Sequence, residues 1–235
     1  MLSCGLSDKG LMRSLNQDYY DIVQDDNGFL AIVCDGIGGN KAGEVASNLA
    51  TKFLVEQFNE DKNRMQHWLV DAIELVNRKV YDESLLNVQY TGMGTTMVCL
   101  YYDGHDYYVA NIGDSRCYVI KDNDMRQITV DHSLINELMI KQSLDYDVAS
   151  KLVGKNIINR AIGVSPEVDV DLFKIEDDFD KIILCSDGLH GYVSENIICQ
   201  IANENDEINK KCQKLIQAAN DAGGLDNVTV ILLQR

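Results

Sequence analysis

Short apolar runs of β type follow one another along this chain while the helical patterns gather in pairs, and this grouping constrains the fold more than any other feature. Runs of strand character occupy residues 19–23, 29–34, 95–102, 106–111, 116–120, 125–130, 167–173, 181–185 and 227–233. Turn formers such as Asp26-Asn27-Gly28 and Asp103-Gly104 separate several of them, as in antiparallel hairpins. Helical periodicity covers 42–58, 65–86, 133–141, 194–202 and 207–222. Strands cluster with strands and helices with helices, which predicts an α+β fold of mainly antiparallel sheet; a doubly wound fold would alternate them. With 46% hydrophobic residues among 235, the chain can bury one sizeable core and reads as a single domain over residues 1–235. Residues 133–163, interrupted and mixed in polarity between strands, are the expected surface insert.

Charge and cysteine usage narrow the partners. The 21 Lys and Arg against 37 Asp and Glu leave a formal charge of −16, which opposes binding to nucleic acid or anionic lipid. No window approaches the roughly 18 apolar residues of a spanning helix, and the first ten residues lack the basic start and apolar stretch of a signal peptide. No membrane insertion is expected, and the expected location is cytoplasmic. Of seven cysteines, Cys34, Cys99, Cys117 and Cys185 lie in the apolar runs and no two form a Cys-x-x-Cys, so they read as buried thiols. The four histidines lack zinc-site spacing, leaving oxygen as the expected ligand of any metal.

Asp35 closes the run 29–34 and precedes Gly36-Ile37-Gly38-Gly39. A dinucleotide fingerprint would need glycine where Lys41 stands, and the spacing of a Walker loop is missing. Taken alone, the motif fits a site and a capped strand-to-helix turn equally well. The pattern recurs in Ser186-Asp187-Gly188 after the run 181–185 and in Gly113-Asp114-Ser115 after 106–111, while Asp226-Asn227 opens the last run. Each acid singly reads as a satisfied turn aspartate. Together they read as a convergent carboxylate cluster, which needs divalent cations to offset its self-repulsion. Oxygen-only ligands favour magnesium or manganese over zinc, and a pair of such ions suits hydrolysis of a phosphate ester. Arg13, five residues before Asp18, is either an exposed loop arginine or a fork for phosphate oxygens. A cysteine phosphatase is disfavoured, since no Cys-x5-Arg loop follows Cys185.

These motifs match a known family in order and across nearly the whole chain. Ser7-Asp8-Lys9-Gly10 through Asn16-Gln17-Asp18, Asp35-Gly36-Ile37-Gly38-Gly39 with Ala42-Gly43-Glu44, Gly94-Thr95-Thr96, Gly113-Asp114-Ser115-Arg116, Asp131-His132-Ser133, Ser186-Asp187-Gly188-Leu189 and Asp226-Asn227-Val228-Thr229 are all present. The chain resembles the metal-dependent serine/threonine protein phosphatases of the PPM, or type 2C, family, especially its compact bacterial members. The resemblance implies a four-layer α-β-β-α sandwich of two antiparallel sheets flanked by helix pairs. It further implies two Mn2+ or Mg2+ ions, bridged by Asp35, with the Gly36 carbonyl on one and Asp187 and Asp226 on the other. Asp18 would hold metal-bound waters, Arg13 would bind substrate phosphate, and Asp114 with Asp187 would hold a third, weaker ion. A metal-bridging hydroxide would attack phosphorus in line.

Residues 133–163 would then be the family's flap. Phosphoprotein substrates are implied, with a bacterial serine/threonine kinase as the natural opposing partner. Two departures stand out. Ile37 occupies the place where many eukaryotic relatives have a proton-donating His, and Gln17 replaces a common Glu. His132, before the insert, reads as a local structural residue sooner than as the missing acid. Two rivals remain open at this point: a silent phosphoprotein-binding relative, and a phosphatase of small molecules.

Overall fold

The computed structural model of the chain describes residues 1–37, 42–62, 64, 67–153, 157–176 and 178–235, so Gly38, Gly39 and Lys41 lie outside it. Two antiparallel sheets form the centre. One runs in the order β1 (Leu2–Asp8), β11 (Val228–Gln234), β10 (Lys181–Cys185), β7 (Arg116–Lys121), β8 (Asp124–Gln127). The other runs β2 (Asp18–Asp25), β3 (Gly28–Ile37), β5 (Met97–Tyr102), β6 (Tyr107–Ile112), β9 (Asp171–Ile175), with the two-residue β4 (Gly94–Thr95) also paired to β3.

The layering follows from the period-two alternation of side chains along a strand. In β3, Phe29, Ala31 and Val33 face Cys117, Val119, Ile182, Leu184, Ile231 and Leu233 of the other sheet, closing a core between the sheets. The alternate residues Leu30, Ile32 and Cys34 face outward and pack under α1 (Ala42–Glu60) and α2 (Trp68–Leu86). Ile183, Cys185, Val230 and Leu232 likewise face outward beneath α6 (Glu195–Asn203) and α7 (Ile208–Asp221). Three cores separate four layers, α-β-β-α. Both faces of the central strands are covered, which is why β3 and β10 are apolar without a break. All seven cysteines are buried and unpaired.

α1 comes close to β2 and β3 through small residues. Ala42, Ala46 and Ala50 recur one turn apart on its buried face. A Cβ on Gly36 would overlap the Gly43 carbonyl, so both glycines are required for this approach. Ser47 Oγ then donates to the Gln17 carbonyl at 2.6 Å.

The insert folds as α3 (Leu134–Gln142) and α4 (Tyr146–Leu152), the second of which was not expected from sequence. Its two ends are tied together by a bridge between Ser133 and Ile158, and Ile162 bridges to Thr95. Other departures have local causes. β1 carries a single buried side chain, Cys4, so no apolar run announces it. β9 begins at Asp171 because Val168 and Val170 pack on the helical core without joining the ladder. The expected run 95–102 breaks at Thr96, whose backbone N–H donates to the Asp35 carbonyl and whose hydroxyl accepts from the Asp35 N–H.

Candidate active site

The acids singled out in the sequence meet at one end of the sandwich. Asp18 and Asp35 are direct partners across β2 and β3, a placement that sets two like charges opposite each other. Asp187 opens the short helix α5 (Asp187–His190) after β10, and Asp226 lies two residues before β11. Asp114 sits in the turn that carries the chain from β6 in one sheet to β7 in the other. That turn uses Gly113 at φ +103°, where a side chain would also strike Thr96. Arg13, Gln17, Asp35, Gly36, Ile37, Thr96, Asp114, Ile158, Asp187, Asp226 and Asn227 line a cavity of about 200 Å³. Asp18 lies beneath it, nearly inaccessible, and accepts a hydrogen bond from Ser186 Oγ at 2.7 Å.

Burial dominates the electrostatics. Desolvation, reinforced by the neighbouring acids, pushes the Asp18 carboxyl up to about 6 and those of Asp114 and Asp187 up to about 7. Asp35 is raised by desolvation and then by Asp18, Asp187, Asp114 and Asp226. Arg13 offsets part of this through Nη2, which donates to Asp226 Oδ2 at 2.7 Å.

The sign of the resulting pH dependence is fixed. Carboxyls whose folded pKa lies above the unfolded value stabilise the fold fully only below about pH 4, and that stability drains away as pH rises through 6 to 7. Protein stripped of divalent ions is therefore expected to melt at a higher temperature at pH 5.5 than at pH 7.5. Scanning calorimetry in EDTA checks this, and an equal or reversed order would mean that the carboxylates are already compensated.

The remaining motifs turn out to be supports. Thr95 Oγ1 donates to the Asp35 carbonyl, and Thr96 Oγ1 is 2.7 Å from Ser115 Oγ, so Gly94-Thr95-Thr96 joins the backbone of Asp35 to the residue after Asp114. Arg116 forks onto Asp131 with Nε–Oδ1 at 2.9 Å and Nη2–Oδ2 at 2.6 Å, a bidentate pair. His132 is buried with both ring nitrogens engaged. Nδ1 accepts from the Gly113 N–H, and Nε2 donates to Asp171. Its expected structural role is what the structure shows.

Three further supports have roles that the sequence does not reveal, although Asn227 and Gly188 stand within its motifs. Asn227 accepts from the Gln17 N–H and donates to the Lys9 and Leu15 carbonyls, clamping the loop that carries Arg13. His190 donates to the Asp114 carbonyl, and burial lowers its pKa to about 3, so it stays neutral. A Cβ on Gly188 would overlap the Asn227 carbonyl, so this glycine lets the segment before β11 pass over α5. Ile158 of the insert, also unforeseen, lines the cavity together with Ile37.

The fit of this site to a metal can be judged on its own atoms. Asp18 Oδ1 and Asp187 Oδ1 are buried with no hydrogen-bond partner among the described residues, an arrangement costly for a carboxylate unless a cation satisfies it. All the acidic donors are oxygens, the ligand class of hard divalent ions. Among the described residues, no three such side chains are already drawn to a common point. The donor chemistry fits divalent ions; the acids surround the cavity and are not gathered about one atom.

A family model described as Protein phosphatase 2C matches residues 12–225. The chain belongs to this family. Among curated relatives, the serine/threonine phosphatase stp of Listeria welshimeri is 36% identical over 97% of this chain and 94% of its own length. The protein phosphatase PhpP of Streptococcus pneumoniae is 35% identical over 97% and 95%. Among solved structures, the serine/threonine phosphatase Stp1 from Staphylococcus aureus superposes with a TM-score of 0.93 at 36% identity, over 99% of this chain and 94% of that one. Phosphatases of the 2C family are metal-dependent hydrolases of phosphoproteins.

Proposed function

We propose that this chain hydrolyses phosphoserine and phosphothreonine in proteins with the help of two Mn2+ or Mg2+ ions. The observation that carries this reading is that four acids from both sheets line one cavity with Asp18 beneath it, that Asp18 and Asp187 each bear an unsatisfied buried oxygen, and that Arg13 stands at the cavity edge. Asp35 would bridge the ions, with the Gly36 carbonyl on one and Asp187 and Asp226 on the other. Asp114 and Asp187 would hold a third, weaker ion. When bound, the ions supply a hydroxide from water at neutral pH and neutralise charge on the phosphoryl oxygens.

The chain's own residues do the rest. Asp18, held by Ser186 Oγ, positions water from below the cavity. Arg13 spends one donor on Asp226, which leaves its other N–H groups for the phosphate oxygens as charge builds in the transition state. Ile37 has no proton to give, and both nitrogens of His132 are engaged elsewhere, so the leaving alkoxide takes its proton from water. Against an overall charge of −16, the ions and Arg13 must create the local positive field that draws in a phosphoprotein.

We read residues 1–235 as one phosphatase domain with residues 133–163 as its flap. Its substrates would include a bacterial serine/threonine kinase. No helix among the described residues is long and apolar enough to cross a membrane, and we place the enzyme in the cytoplasm.

Hydrolysis of a phosphothreonine peptide is expected with Mn2+ or Mg2+ and is expected to vanish with chelator. Selective turnover of small phosphate esters alone would replace the substrate class. No turnover of any phosphate ester by the ion-loaded protein would favour a silent binding module.

A further inference from the structure

A phosphorylated side chain places its phosphorus only three bonds from the Cα, so a phosphate held by Arg13 brings the substrate backbone over the rim beside that residue. Three large apolar side chains are exposed there. Leu11 is 68%, Met12 69% and Leu225 49% accessible. Single exposed apolar residues are ordinary, but an adjoining group beside a site marks an interaction surface.

The group is built from two loops fastened to each other. The N–H groups of Leu11 and Met12 both donate to the Gly224 carbonyl, at 2.8 and 3.0 Å. Leu11 lies over Gly224, where a Cβ would meet its side chain. Asn227 donates to the carbonyls at both ends of the segment, Lys9 and Leu15. A segment fixed in this way keeps Leu11 and Met12 in solvent, so a ligand meets a preformed ledge with little ordering cost. The same loops carry Arg13 and Asp226, which line the cavity and are the chain neighbours of Met12 and Leu225.

Resting on the phosphatase reading above, we infer that Leu11, Met12 and Leu225 form a docking ledge for an apolar side chain adjacent to the phosphorylated residue of the substrate polypeptide. The enzyme thereby selects phosphosites with aliphatic neighbours over phosphosites with polar ones. Covering much of one leucine side chain corresponds to roughly a five- to tenfold preference.

The test uses two phosphothreonine peptides that differ only in having leucine or serine on both sides of the phosphothreonine, assayed with Mn2+, and p-nitrophenyl phosphate as a common reference. The wild-type chain is expected to show a kcat/KM ratio of about five to ten in favour of the leucine peptide, carried by KM. In the double variant Leu11→Ser, Met12→Ser the ratio falls toward one, and in Met12→Leu it persists. A wild-type ratio near one, or a ratio retained in the double variant, overturns the ledge while the phosphatase reading stands. Failure to turn over either peptide, with p-nitrophenyl phosphate hydrolysed, overturns the protein-phosphatase reading and the ledge with it.

Discussion

Asp35→Ala is expected to lower turnover of a phosphothreonine peptide by roughly 10³-fold or more, since even one lost electrostatic contact to a developing charge costs about 10²–10³-fold. Asp35 faces Asp18 directly across the strand pair and feels every other acid of the cavity. Its substitution removes the group best placed to join both halves of the site. The same position makes the variant informative about stability. In the presence of chelator, Asp35→Ala should melt no lower than the parent, because the deletion relieves repulsion among buried like charges and leaves only a small gap at the cavity edge. Steady-state kinetics and thermal unfolding in EDTA read the two effects. Near-parental turnover would show that the ligands have been assigned to the wrong acids. A large fall in stability would show that Asp35 holds the fold and not the chemistry.

Gly188→Ala should be among the most damaging single-methyl changes in the molecule. The added Cβ would overlap the Asn227 carbonyl and press on the backbone of Val228, and neither can swing aside as a side chain would. Overpacking against backbone costs about 3 kcal/mol at the upper end of the usual range, which for a chain of this size is roughly 6–12 °C in melting temperature. Activity should fall as well, because Asn227 is the clamp for the loop that bears Arg13 and adjoins Asp226. Thermal unfolding and peptide turnover check both. A melting temperature within about 2 °C of the parent would mean that the segment before β11 can shift away from α5 at little cost.

How much of this could be read from the sequence depended on where each residue's partners lie. β3 and β10 were plain, since strands covered on both faces need unbroken apolar runs. β1 was invisible, because a strand with one buried side chain has no pattern to show. The Asp-Gly pairs at 35–36 and 187–188 read as site-like. Their physical reason, another stretch of backbone pressed against the glycine, involves residues far along the chain.

The ligand assignments and the four layers came with the family resemblance, and no count of strands could have supplied them. Arg116 and Asp131 stood in two separate motifs until the structure joined them as one ion pair. Asn227, His190 and Ser186 act through contacts that link distant segments, and nothing local distinguishes them from ordinary turn residues.

β11 lies between β1 and β10 and pairs with both along its length, from Leu2 with Gln234 to Asp8 with Val228 on one side. Within this sheet β1 has β11 as its neighbour, so the first strand of the domain waits for a segment far along the chain. A chain interrupted before Val228 would leave β1 and β10 as open edges, ready to pair with other chains. A product shortened before β11 is thus prone to aggregate through the strand edges it exposes.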